Sequence, residues 1–274
     1  MAKKLAAFYN QGQAKHWQDL LNSSDKGCTS SDSLALSRPP KHPMQPRPNP
    51  AALLSLALAM LLPLQASAFV SIRDQEIAEC RPGEIATWGD GRDRPAVAAK
   101  LVFVYEHRGA PAWISEVLVM QLLERAVQAW APCGVPAVVV RGEMSPELMA
   151  ANKGNIQVLW NETAARGNFA LANLRQRQLA ISPAGFALLK KRNPGHPFQE
   201  TLQMVISHEM GHLYGLMAHS RRCVDVTSYY DNGRGETCYA RDRSQLKTVT
   251  EYRSMLPTAC DLQRCRAANG KTGN

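Results

Sequence analysis

The sequence predicts an α/β (α+β) domain: a twisted mixed sheet with two main helices, above a loop-rich lower half containing disulfides. Three observations lead there. Short β-type runs alternate with helix-period runs between residues 101 and 214. The second long helical run is apolar yet holds two histidines and a glutamate at helical spacing. After Gly215 the periodicity stops, and residues 217–274 carry four cysteines among polar and turn residues.

Leu101 to Tyr105 is an apolar β-type run and forms the first strand. From Trp113 to Trp130, apolar side chains (Ile114, Val117, Leu118, Leu122, Ala126, Ala129) recur at helical spacing, and Pro132 and Gly134 end that helix. Strands follow at Val135–Val140 and Asn155–Trp160, then two short ones at Asn168–Leu174 and Gln178–Ser182. Pro197 suits a helix start and Gly215 a helix end, which places the second long helix at about Phe198–Tyr214. A short helix is expected around Asp261–Ala268, and residues 69–100, rich in Arg, Pro and Gly, read as an irregular lead-in or short pro-segment.

The N-terminal third has a different character. Residues 1–43 are polar and mixed, and read as an over-extended or disordered lead-in with Met44 as the true start. Residues 44–68 order a basic stretch, an apolar run from Ala51 to Leu64 and the small-residue site Ala66-Ser67-Ala68, which is the pattern of a secretory signal peptide cleaved after Ala68. The apolar run is short and interrupted by Pro63, so no stable membrane anchor is expected after cleavage. The protein is therefore expected to be secreted or periplasmic, with residues 69–274 as one domain (upper part about 100–216, lower part about 217–274).

The whole chain has a net charge of +9, but residues 69–274 hold 25 basic and 20 acidic side chains. That is a moderately basic surface without a long Lys/Arg run, which argues against a nucleic-acid partner. Removing the leader also removes Cys28 and leaves six cysteines, an even number suited to disulfides in an exported protein. Six cysteines allow fifteen pairings. Cheap closure of short loops favours Cys223–Cys238 and Cys260–Cys265, which leaves Cys80–Cys133.

The chemistry concentrates in Val205-Ile-Ser-His208-Glu209-Met-Gly-His212-Leu-Tyr-Gly215. On a helix His208 and His212 stand one turn apart on one face and can aim both imidazoles at one point. Glu209 reaches the edge of that point. Two such histidines with an adjacent Glu suit one catalytic Zn2+ and a proton-accepting base. A separate apolar face (Leu202, Val205, Ile206, Leu213, Leu216) anchors the helix, which argues against two merely structural core histidines. A catalytic zinc takes three protein ligands. His219, four residues past the Gly215 turn, is the expected third, with Asp225 and Asp231 as runners-up.

His208-Glu209-x-x-His212-x-x-Gly215-x-x-x-His219 resembles the metzincin signature, with the third histidine one position late. Tyr252-Arg-Ser-Met255-Leu-Pro257 resembles the Met-turn of that family. The resemblance, matrixin-like and spanning roughly residues 100–260, implies a zinc metalloendopeptidase acting on protein or peptide substrates. It implies that Met255 packs beneath the histidines and that Leu256-Pro257 borders a specificity pocket. It also implies that an antiparallel edge strand, here Phe169, Ala170 and Leu171, pairs with extended substrate. Tyr252 is a candidate for stabilising the oxyanion. Glu236 and Glu251, which could serve as a third ligand in a gluzincin, lack a helical motif. Cys133 lacks the arginine of a matrixin cysteine switch, and using Cys80 as one would leave an odd cysteine. Asp225, Asp231 and Asn232 form no recognised calcium loop, so calcium is left open. Two rival functions remain at this level: a non-catalytic zinc-binding module, and a zinc amidase acting on cell-wall amides.

Overall fold

The computed structural model describes residues 71–271, with Met144, Thr248 and Thr250 excepted. The expected leader (1–43 and 44–68), its cleavage point and Cys28 lie outside the described residues. Among the described residues no helix is long and apolar enough to cross a membrane.

Strands β1 (Leu101–Glu106), β2 (Ala137–Arg141), β3 (Asn155–Trp160), β4 (Ala170–Asn173) and β5 (Gln178–Ile181) form one sheet in the order β2-β1-β3-β5-β4. All neighbours are parallel except β4, which runs antiparallel to β5 at one edge, with Ala170 opposite Ile181 and Asn173 opposite Gln178. Along β3 the buried residues alternate, Ile156, Val158 and Trp160 facing the core.

The helices are α1 (Ile72–Ala78), α2 (Glu116–Trp130), α3 (Pro146–Ala151), α4 (Glu162–Ala165), α5 (Pro183–Arg192), α6 (Phe198–Leu213) and α7 (Ala259–Ala268). Ser115 caps α2 by accepting the Leu118 N–H, and Val119, Leu122, Leu123, Ala126 and Trp130 form its buried stripe. Helix α6 is buried on every side from Thr201 to Leu213, so its polar side chains need internal partners. Ser207 Oγ donates to the Gln203 carbonyl at 2.8 Å, and Gln203 Nε2 donates to the Leu122 carbonyl of α2 at 3.0 Å. The Trp130 indole donates to the Ser207 carbonyl at 3.1 Å and its ring stacks on Tyr214. These bonds fix α6 against α2 in one register.

Four sequence expectations need correction. Residues 71–100, expected as an irregular lead-in or short pro-segment, include a helix bonded into the fold: α1 buries Glu76, which accepts from the Tyr252 hydroxyl and the Arg241 N–H. Helices α3, α4 and α5 were not anticipated, because each buries few residues and shows little apolar period; α5 buries only Phe186 and Leu189. The fourth and fifth strands are also shorter than expected, at Ala170–Asn173 and Gln178–Ile181.

The fourth correction concerns the disulfides, which are Cys80–Cys260, Cys133–Cys265 and Cys223–Cys238. Only the last matches the loop-closure argument. Cys260 and Cys265 both lie on α7, where five residues rise about 7.5 Å and turn the side chains about 140° apart. That spacing exceeds what a disulfide can bridge. Each instead ties α7 to a distant segment.

Glu84 and Arg241 fasten the N-terminal segment to the cysteine-rich loops, with Arg241 Nε 2.6 Å from Glu84 Oε1 and a second bond at 2.8 Å. The Arg241 hydrogen bonds, aided by the buried Arg222 and opposed by burial, hold the Glu84 carboxyl down to about 2. A depressed carboxylate stabilises the fold above its unfolded pKa near 4.5, and the contribution is lost as pH falls toward 2. Glu84→Gln is therefore expected to lower the urea midpoint at pH 6, with the gap to the parent closing between about pH 4.5 and 2. A gap independent of pH would show that packing, not charge, is responsible.

Candidate metal centre

Helix α6 presents His208 and His212 one turn apart, with ring centroids 5.1 Å apart. The helix ends at Leu213 because Gly215 adopts φ +106°, a conformation in which a side chain is strained. A Cβ there would also sit 2.0 Å from the Arg94 carbonyl oxygen, so glycine is needed on steric grounds too. The chain then turns back and delivers His219, whose ring lies 5.2 Å from that of His208 and 5.0 Å from that of His212. Ligand atoms of the three lie within 4.8 Å of one another, and all three residues are buried.

The other ring nitrogens decide the tautomers. His208 Nδ1 is 2.7 Å from the Val226 carbonyl and His212 Nδ1 is 2.7 Å from the Leu216 carbonyl. A carbonyl only accepts, so both Nδ1 atoms carry the proton and both Nε2 atoms keep a lone pair. His208 Nε2 is buried and has no hydrogen-bond partner among the described residues. Burial pushes the His208 imidazole well below its usual range and His212 down to about 3, with repulsion between the rings adding to both. All of this favours neutral imidazoles with lone pairs directed together. That is the donor set a borderline-soft divalent cation such as zinc takes.

The orientation of His208 can be followed back to a helix cap. Asp261 closes a capping box with Thr258 at the start of α7. The same carboxylate accepts from the Val226 N–H at 2.9 Å and the Thr227 hydroxyl at 2.5 Å. Val226 is thereby held where its carbonyl meets His208.

Glu209 is 4 % exposed and does not belong to the ligand group. Burial pushes its carboxyl up to about 8, against the hydrogen bond it accepts from the Ala172 N–H at 2.7 Å. Ala172 lies on β4, so the edge strand borders the site directly. Phe169, just before β4, gives its carbonyl to Ser182 on the β5 side, whereas Ala172 turns its N–H toward Glu209. Ala170 follows the same parity as Ala172, and Leu171 the opposite one.

The remaining sequence candidates fall as follows. Met255 is half-buried and lines a cavity of about 440 Å³ with Met204, Glu200, His196, Arg253 and Arg73. Met204 and Arg253 also face the gap beside His208 and Glu209, so that cavity lies next to this gap. Tyr252 is not placed for the oxyanion role: its hydroxyl donates to Glu76 at 2.6 Å, and its ring packs with Cys223, Val224 and Cys238. Asp225 is tied up by Arg222, Ser220 and Thr258, and Asp231 accepts from the Gly233 N–H, so neither joins the histidines. Glu236 bonds to Asn232 and Glu251 pairs with Arg253.

Sequence reading missed Asp90. Its Oδ2 is 2.7 Å from His219 Nδ1, and its Oδ1 accepts the His219 backbone N–H at 3.0 Å. Burial works against ionisation of Asp90 but is outweighed by His219 and Tyr229, leaving the carboxyl at about 2. No local signal in Trp88-Gly-Asp90-Gly-Arg-Asp93 marks this residue, since its partner lies 129 residues away.

No family model matches the sequence, and no curated protein matches it either. Among solved structures, a chain of the GM1 bound form of the ECX AB5 holotoxin is similar at 14% identity and a TM-score of 0.42, over 70% of this chain and 92% of that one. A likeness that loose says nothing about what this chain does.

Proposed function

We propose that the protein is an exported, metzincin-like zinc endopeptidase. The observation that carries this reading is the convergence of three buried imidazoles beside a carboxylate outside their group. A purely structural zinc site is closed by four protein ligands. Here three residues form the group, and the neighbouring acid is held apart by the Ala172 N–H.

His208, His212 and His219 would hold the ion. Bound there, zinc supplies a Lewis acid that polarises the scissile carbonyl and makes water acidic near neutral pH. Glu209 accepts the proton of the attacking water and passes it to the leaving amine. The outward edge of β4 offers backbone groups to an extended peptide, and the cavity beside Met204 and Met255 offers room for a side chain. Export is supported by the three disulfides.

The test uses the disulfide-bonded protein, metal analysis and a mixed peptide library. One zinc per chain is expected, with internal peptide bonds cleaved, activity abolished by a chelator and restored by zinc. Zinc bound at one per chain without cleavage of any peptide would favour a binding module instead.

A further inference from the structure

His208 and His212 are placed by their own helix, but His219 is not. It sits in the loop after Gly215 and has to be positioned from outside. The segment from Ala86 to Val97 supplies that support, running antiparallel to residues 213–221. Val97 N–H donates to the Leu213 carbonyl, Arg94 N–H to that of Gly215 and Trp88 N–H to that of His219, while Arg221 N–H donates back to Ala86. Asp93 accepts the N–H groups of Met217 and Ala218 and is itself held by Arg264. At Gly91 an added Cβ would lie 2.3 Å from the Met217 carbonyl oxygen, so the strap and the loop are in close contact.

Within this strap one carboxylate meets a ring. Asp90 grips His219 at both its backbone N–H and its Nδ1, and Tyr229 donates its hydroxyl to the same carboxylate oxygen at 3.0 Å. Tyr229 in turn packs against the His219 ring, 4.6 Å between centroids, and stacks on Trp88. The contrast with the other two histidines is chemical. Their Nδ1–H groups meet neutral backbone carbonyls, and that of His219 meets a carboxylate. A carboxylate behind an imidazole fixes the ring and makes its far nitrogen a stronger donor.

Resting on the metal centre proposed above, we infer that Asp90 is the positioning residue for the third ligand: it fixes the His219 tautomer and ring plane and raises its strength as a metal donor. The segment from Ala86 to Val97 would then support the metal centre through His219 without adding to the three histidines.

Asp90→Asn tests this with little change of shape. An amide has one accepting atom where the carboxylate uses two, so it cannot serve both the His219 backbone N–H and the protonated Nδ1. The ring loses its charged partner or is driven to the wrong tautomer. Zinc affinity, read by competition with a chromophoric chelator, is expected to fall about 10- to 100-fold. The visible spectrum of the cobalt-substituted protein is expected to change with it. Asp93→Asn is the companion variant: it loosens the same strap without touching the ring, and is expected to weaken zinc and shift the cobalt spectrum clearly less than Asp90→Asn does. The inference is overturned if Asp90→Asn binds zinc within twofold of the parent with an unchanged spectrum. It is equally overturned if Asp93→Asn weakens zinc as much, since the strap as a whole would then be responsible. Failure of the parent to bind zinc or cobalt would end the metal reading itself, a separately visible result.

Discussion

Glu209→Gln is expected to cut kcat by about 10²- to 10⁴-fold, the range for losing a general base, while one zinc stays bound per chain. The separation between metal binding and turnover follows from the geometry. Glu209 is not among the three histidines that could hold an ion, so its loss leaves the imidazoles in place. A glutamine side chain keeps an oxygen that can accept the Ala172 N–H, so the link to β4 survives. It also removes a buried carboxyl for which ionisation is unfavourable, so the variant is expected to unfold no earlier than the parent. The loss should fall on kcat with KM little changed, because the proton is moved only in the transition state. Metal analysis, melting temperature and steady-state kinetics on one preparation check all three. Turnover within twofold of the parent, with zinc bound, would remove Glu209 from the mechanism.

The second large effect is on stability. Cys133 and Cys265 close a loop of 132 residues, against 15 for Cys223 and Cys238. Chain-entropy reasoning assigns about 5 kcal/mol to the long loop and about 3 kcal/mol to the short one. Cys133→Ser with Cys265→Ser is therefore expected to lower Tm by roughly 10–15 °C in a chain of this size. The Cys223→Ser and Cys238→Ser pair should lower it clearly less. The long-range bond also supports the site, since it staples the end of α2 to α7. On one side Trp130 reaches the Ser207 carbonyl beside His208; on the other Asn269 reaches the Tyr214 carbonyl. Zinc affinity should fall with stability in that pair. Equal Tm losses in the two double variants would show that loop length is not what governs them.

The parts of this molecule that repeat at short range were legible in the sequence. Helix α2 announced itself through its helical apolar spacing, although Val117 of the expected stripe is exposed and Val119, Leu123 and Trp130 are buried beside Leu122 and Ala126. Strand β3 showed through its run of strand-forming residues, and α6 through Pro197 and Gly215 at its two ends. Helix α5 was not legible, although Ser182-Pro183 and Lys190-Lys191-Arg192 are start and stop signals, because two buried residues make no stripe. The histidine pair was readable for the same reason as α2, since four residues on a helix fix two side chains on one face. His219 was readable only as a candidate within reach of the turn. The structure brings it to the pair and leaves Asp225 and Asp231 in other networks.

By itself, then, the sequence determined the order of the main strands and helices, the His208-Glu209-His212 cluster and the site of the chain reversal at Gly215. These depend on neighbours within a few residues. Only the tertiary structure decided which cysteines pair, that Tyr252 faces Glu76 instead of the histidines, that the Ala172 N–H holds Glu209, and that Asp90 stands behind His219. Those contacts join residues tens to nearly two hundred positions apart. Local spacing carries no record of such distances; they are set when the sheet, α6 and the N-terminal strap pack into one core.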